Sequence, residues 1–162
     1  MASTTRPATA ADVPALGRLG ALLVAVHHDF DPDRFMAVTP ATERAYGSFL
    51  GGELSREGVV VLVAEEAGTV VGYAYAGLEG TDYMALRGPA GVIYDLVVDP
   101  ARRRQGIGGK LLEAVRAELL ERGAPQVVLS TAERNTPAQD LFSAAGFRRT
   151  MIEMTWEPSR TA

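Results

Sequence analysis

Between Asp99 and Val115 the chain reads DPARRRQGIGGKLLEAV, placing Arg102, Arg103, Arg104, Gly106, Gly108, Gly109 and Lys110, its only lysine, in one short stretch. The preceding GVIYDLVV reads as a buried strand ended by Pro100, and an amphipathic helix follows from about Gly106 to Arg122. A turn from a strand into a glycine-rich helix start exposes unpaired backbone N–H groups at the positive end of the helix dipole, which is an anion site. Gly106 and Gly108 carry no Cβ to hold a phosphate away, and Arg103, Arg104 and Lys110 would add charge-assisted hydrogen bonds. Two phosphate motifs fail here. A P-loop needs glycine at 104 and Ser or Thr at 111, and the dinucleotide fingerprint needs a third glycine at 111, whereas the chain has Arg104 and Leu111. The competing reading is a solvated, charged turn.

The segment HHDFDPDRF invites a metal reading. Asp29, Asp31 and Asp33 stand at positions one, three and five of a calcium loop, but that loop needs glycine at 34 and glutamate at 40, where the chain has Arg34 and Pro40. Adjacent His27 and His28 suit a helix end better than a pair of ligands, so no metal site is expected. The three aspartates form either a solvated acidic loop or a lure for a cationic substrate.

The elements that must position these groups follow from periodicity. A short strand at TTRP leads to Thr9 and Asp12, a capping-box pair opening a helix over about Ala11–His27, with Leu16, Leu19, Leu22, Leu23 and Val26 at helical spacing. A second helix is expected behind Thr39, from Pro40 through ATERAYGSFLGGELSRE. The runs VVVLVAEE and TVVGYAYAGLE around Ala67–Gly68 read as an antiparallel hairpin. After the GVIYDLVV strand and its helix come a strand at QVVLSTA, a short helix at TPAQDLFSAAG capped by Gly146, and a last strand at FRRTMIEMTW. The order β-α-α-β-β-β-α-β-α-β implies an α/β fold with one mixed sheet covered by helices.

The 162 residues, 47% of them hydrophobic and 22% charged, suit a single globular domain over 1–162. With no cysteine, disulfides and thiol chemistry are excluded. A net charge of −4 argues against nucleic acid as a partner. No signal peptide is visible and the apolar runs are shorter than a membrane span, so a soluble cytoplasmic protein without a membrane partner is expected. Arginine in place of lysine suits a GC-rich bacterial genome.

Arg103, Gly106 and Gly108 satisfy [Q/R]-x-x-G-x-[G/A], and with the preceding YDLVVDPARR the stretch resembles the central motif of the GCN5-related N-acetyltransferases, the GNAT family. The resemblance extends over nearly the whole chain: TTRPATAADVPAL is similar to the family's first strand and helix, VAEEAGTVVGYA to its hairpin, and NTPAQDLFSAAGF to its late helix and "GF" ending. It implies a mixed, mostly antiparallel sheet whose fourth and fifth strands splay apart, flanked by about four helices. It also implies acetyl-CoA as co-substrate, with Arg103, Arg104, Gln105, Gly106, Ile107, Gly108, Gly109 and Lys110 around its pyrophosphate and the backbone of Leu96, Val97 and Val98 along its pantetheine arm. Asn135 matches a position that touches the cofactor, and is also a natural helix cap.

The activity implied is N-acetyl transfer to an amine of a small molecule or a peptide N-terminus, without an acyl-enzyme. The alternatives are a noncatalytic acyl-CoA-binding regulator and an O-acetyltransferase. Proton removal from the amine falls to Asp95, or to Tyr94 beside it; regular alternation puts these two on opposite strand faces unless a bulge intervenes. Asp95 could instead be a buried carboxylate organising its surroundings, and Glu79 a solvated loop residue. Phe142 stands at the cofactor-side position where the family often has a tyrosine that protonates the leaving thiolate, so that donor is missing. Homodimers are frequent in the family.

Overall fold

The computed structural model describes residues 2–160. Five strands, β1 (Thr4–Pro7), β2 (Val59–Glu66), β3 (Thr69–Glu79), β4 (Ala90–Val98) and β5 (Val127–Leu129), lie in the order β1-β2-β3-β4-β5. The first four are antiparallel and β5 is parallel to β4, giving the mixed sheet expected from the order of elements. The β2–β3 hairpin turns at Ala67 and Gly68, both with positive φ (48° and 77°), the tight geometry whose twist matches the strands it joins.

Helices α1 (Val13–Phe30) and α2 (Thr42–Glu53) cover one face of the sheet, and α3 (Ile107–Glu121) and α4 (Thr136–Ala144) the other. Strand alternation sorts the core accordingly. Val61, Val63, Tyr73, Tyr75 and Val97 pack with Leu16, Leu19 and Leu50 on the first side, while Val60, Leu62, Ala74, Ala76 and Ile93 meet Leu111, Leu112, Val115 and Leu119 on the second. The helical start at Thr9 forms as read, with the Asp12 carboxylate accepting from the Thr9 N–H at 2.7 Å; a 3₁₀ turn over Ala10–Asp12 precedes α1 proper. The 21 residues Ala10–Phe30 are long and apolar enough to cross a membrane by length and composition, a longer apolar run than the sequence reading allowed. Here Leu16 and Leu19 are buried against the sheet.

Three expectations are corrected. Helix α1 runs three residues past His27, to Phe30, which carries both histidines into its last turn. The predicted second helix is shorter at both ends, beginning at Thr42. The last strand does not form: residues 147–156 pair with no strand, and β5 is confined to three residues. Alternation is only half of what a strand needs; the other half is a neighbouring edge long enough to bond.

Candidate active site

The glycine turn stands where the sequence places it. Asp99 at the end of β4 is fixed by Arg18 at 3.1 Å and its Oδ1 accepts from the Ala101 N–H at 3.0 Å, starting a 3₁₀ turn over Pro100–Arg102. Gly106 then caps α3 with φ +76°, a left-handed conformation natural to glycine, and offers no side chain to the first turn. The first helical N–H with a backbone acceptor is that of Lys110, donating to the Gly106 carbonyl. Among the described residues the N–H groups of Gly106 to Gly109 therefore have no backbone acceptor, and Arg103, Arg104 and Lys110 have no carboxylate partner. Ile107 contributes only backbone, because its side chain is buried in the core. The turn fits an anionic pyrophosphate: exposed cations surround N–H groups that protein atoms leave unsatisfied.

Beyond Ile93 and Leu129 the parallel pair separates, so β4 from Tyr94 to Val98 is bonded to β3 alone. Leu96, Val97 and Val98 thus present an open backbone edge leading straight to the turn, as the splayed-strand expectation requires.

At the near end of this edge lies a cavity of about 260 Å³, lined by residues of α1, the α1–α2 connection, α2, β4 and the β5–α4 connection, among them His27, Phe35, Tyr46, Tyr94, Asp95 and Asn135. That both Tyr94 and Asp95 reach it has a specific cause. The β3–β4 register jumps from Tyr75↔Asp95 to Ala76↔Ile93, leaving Tyr94 as the extra residue of a β-bulge. Ile93 and Leu96, three apart, consequently share the α3 face, and Tyr94 and Asp95 share the other. The opposed arrangement expected from plain alternation is corrected by this one residue.

Asp95 Oδ2 accepts from Tyr46 Oη at 2.6 Å and Tyr73 Oη at 2.9 Å, while Oδ1 has no hydrogen bond among the described residues. Burial raises the Asp95 pKa above the usual carboxylate range; the two phenols and the positive charge available to His27 oppose that shift. Burial, followed by the Asp95 charge, pushes the Tyr46 and Tyr73 phenols far up, so both remain donors. Tyr94 donates to Glu79 at 2.6 Å, and Glu79 also holds Arg87 at 2.6 Å. Burial and Glu79 push the Tyr94 phenol up to about 12. Glu79 is therefore not the solvated loop residue expected: it is the last residue of β3, paired with Ala90, and tethers Tyr94.

Asn135 caps α4 as expected, its Oδ1 accepting from the Ala138 N–H at 3.3 Å, and also lines the cavity. Phe142 sits in the core beneath α3 with its ring 6.0 Å from that of Phe147 and does not line the cavity. Of the acidic segment, Asp33 pairs with Arg160 at 2.9 Å and none of Asp29, Asp31 and Asp33 lines the cavity. Sequence reasoning missed Tyr46, Tyr73, Phe35 and His27. A signal for Tyr73 existed: a tyrosine on the buried face of β3 needs an acceptor, and Asp95 lies on the adjacent strand.

Residues 23–147 match the model of the Acetyltransferase (GNAT) family. A mycothiol acetyltransferase of Thermobispora bispora is 39% identical over 98 residues, 58% of this chain and 32% of that protein. A [ribosomal protein bS18]-alanine N-acetyltransferase of Haemophilus ducreyi is 36% identical over 66 residues, 41% of this chain and 46% of that one. The chain spans a third or less of the mycothiol relatives' length. Among solved structures, an aminoglycoside N-acetyltransferase in complex with CoA superposes with a TM-score of 0.74 at 18% identity, covering 98% of this chain and 96% of that one, a likeness of fold. Because the family match runs from α1 through the end of α4, over most of the chain, the protein belongs to the GNAT acetyltransferase family.

Proposed function

We propose that the protein is an acetyl-CoA-dependent N-acetyltransferase, working as one domain over 1–162, whose acceptor is a small amine with an apolar body. The reading rests on one juxtaposition: an open β4 edge runs from the glycine turn at one end to a cavity lined by the half-buried Asp95 carboxylate at the other. Acetyl-CoA supplies an activated acetyl thioester there. Arg103, Arg104, Lys110 and the N–H groups of Gly106 to Gly109 hold its pyrophosphate, the backbone of Leu96 to Val98 orients its pantetheine arm, and Asn135 borders the cavity from the α4 side. Leu23, Val24, Phe35 and Met36 surround the acceptor body and exclude water.

Asp95 pairs through Oδ1 with the incoming ammonium and takes its proton, a task suited to a carboxylate whose affinity for protons burial has raised. Tyr46 and Tyr73 hold that carboxylate in place, and Tyr94, fixed to Glu79, walls the acceptor side.

The test is thiol release from acetyl-CoA across a panel of amines and alcohols, together with calorimetry of CoA binding. Release with primary amines is expected, and Arg104→Glu should weaken CoA binding by about 1.5–3 kcal/mol through a lost charge-assisted bond and added repulsion. Tight CoA binding without release would support the regulator, and release only with alcohols the O-acetyltransferase. Unchanged CoA affinity in folded Arg104→Glu would remove the turn from the site.

A further inference from the structure

We infer that His27 is the proton exit of this site: it takes the proton from Asp95 and passes it to solvent. The inference rests on the acetyltransfer reading and adds to it a residue of α1 that lines the same cavity.

The tautomer of His27 follows from geometry. Its Nδ1 lies 2.8 Å from the Leu23 carbonyl oxygen, which can only accept, so Nδ1 carries the hydrogen. In the neutral ring Nε2 then bears the lone pair. The ring is held edge-on between Phe30 and Phe35, with centroids at 6.0 Å and 5.0 Å, and its residue lines the same cavity as Asp95. A positive charge on His27 acts to lower the Asp95 pKa, against the rise caused by burial.

Elimination strengthens the assignment. The other titratable side chains lining the cavity are Tyr46 and Tyr94, and both act as donors, to Asp95 and to Glu79. Tyr73, reaching in from β3, also donates to Asp95. Asn135 Oδ1 is engaged by the α4 backbone. Asp95 and His27 are therefore the two basic acceptors among the lining side chains. Asp95 and His27 are both half-buried; Asp95 is clamped on one oxygen by two phenols, while His27 sits in the last turn of α1. The charged groups near that end are Asp29 within the last turn, Asp31, whose backbone N–H donates to the His27 carbonyl at 3.1 Å, and Arg134, whose guanidinium donates to the Phe30 carbonyl at 2.6 Å, while His28 is bonded to the Phe35 carbonyl at 2.9 Å.

The step balances without a co-reactant. The O–H bond of protonated Asp95 breaks, an Nε2–H bond forms on His27, and the imidazolium keeps its Nδ1–H on Leu23 until Nε2 releases its proton to water or buffer.

Three measurements test this in the full chain. Nitrogen NMR of histidine-labelled, ligand-free protein should show His27 with a protonated Nδ1 and a bare Nε2. His27→Asn, whose amide can still donate to Leu23, should lower kcat roughly 10²-fold with the acetyl-CoA KM unchanged. His27→Ala should fall similarly and recover with added imidazole in proportion to its unprotonated form, which a merely structural role would not produce. A bare Nδ1 in the spectrum, or wild-type kcat in His27→Asn, would overturn the inference. Absence of transfer by the wild-type protein itself would instead mark failure of the acetyltransfer reading.

Discussion

Asp95 separates what a residue does for the fold from what it does for chemistry. Burial holds its proton more firmly in the folded chain than in the unfolded one, so the stability it contributes is complete below the ordinary carboxylate range and is lost as pH rises through the folded value. At neutral pH the ionised group therefore costs stability. Asp95→Asn removes that cost, and its amide oxygen can still accept from Tyr46 and Tyr73. We expect a melting temperature at pH 7 equal to or above wild type, with turnover lowered roughly 10²–10⁴-fold and CoA affinity preserved. Thermal denaturation beside steady-state rates checks this, and a variant melting far below wild type would assign Asp95 to architecture. Asp95 and the glycine turn were legible in the sequence because each lies within one continuous segment. Tyr46 and Tyr73 were not, since their meaning arises only when α2 and β3 converge on Asp95 from 49 and 22 residues away. His27 was read as a helix-end residue, which it is, but nothing local reveals that the end of α1 overhangs the cavity.

At the scale of elements, α1 decides whether that convergence happens. A Cβ on Gly20 would lie 2.2 Å from the Tyr46 ring, so α1 admits the tyrosine only because position 20 is bare. Helix propensity alone favours Gly20→Ala by up to about 1 kcal/mol. The clash should win: we expect a net loss of about 1–3 kcal/mol in denaturant unfolding and turnover as low as in Tyr46→Phe. Stabilisation with full activity would show that Tyr46 has room to retreat. The other end of α1 is tied by Asp12, which pairs with Arg6 at 2.8 Å while Arg6 also reaches Glu65 at 2.6 Å. The Arg6 hydrogen bonds, opposed by burial and helped by the Thr9 N–H, lower the Asp12 pKa to about 2. Here the sign is reversed: the stability is present above the unfolded value and is lost as pH falls from about 4 towards 2. Allowing for the exposure of Arg6, about 1–2 kcal/mol is at stake. Urea midpoints should fall over that window in wild type and stay flat in an already weaker Asp12→Asn. The α1 start, the hairpin and α3 were readable because caps, turns and helical spacing are local. The β4 bulge was not, since it is a mismatch between two strands.

The whole molecule is where the predicted last strand bears on assembly. Residues 147–156 alternate as a strand would, yet in one chain they pair with no strand, and Arg34 holds Glu153 while Arg160 beyond the segment holds Asp33. Met151, Ile152, Met154 and Trp156 are left 76–86% exposed, a row of large apolar side chains unusual on the surface of a monomer. A second copy offering its own segment would satisfy both the alternation and the exposed groups, in keeping with the homodimer that the family resemblance implies. Trp156 is the chain's only tryptophan, so its emission reports on this segment alone. In dilute protein we expect emission typical of a hydrated indole, readily quenched by acrylamide. As concentration rises, emission should shift to the blue and quenching should fall in step with a doubling of mass in sedimentation. Ile152→Asp should abolish the concentration dependence without lowering the melting temperature of the dilute protein, because the replaced side chain touches no core. Quenching that stays constant while the protein sediments as a monomer would refute the homodimer, and a doubling of mass with Trp156 still accessible would place the interface elsewhere.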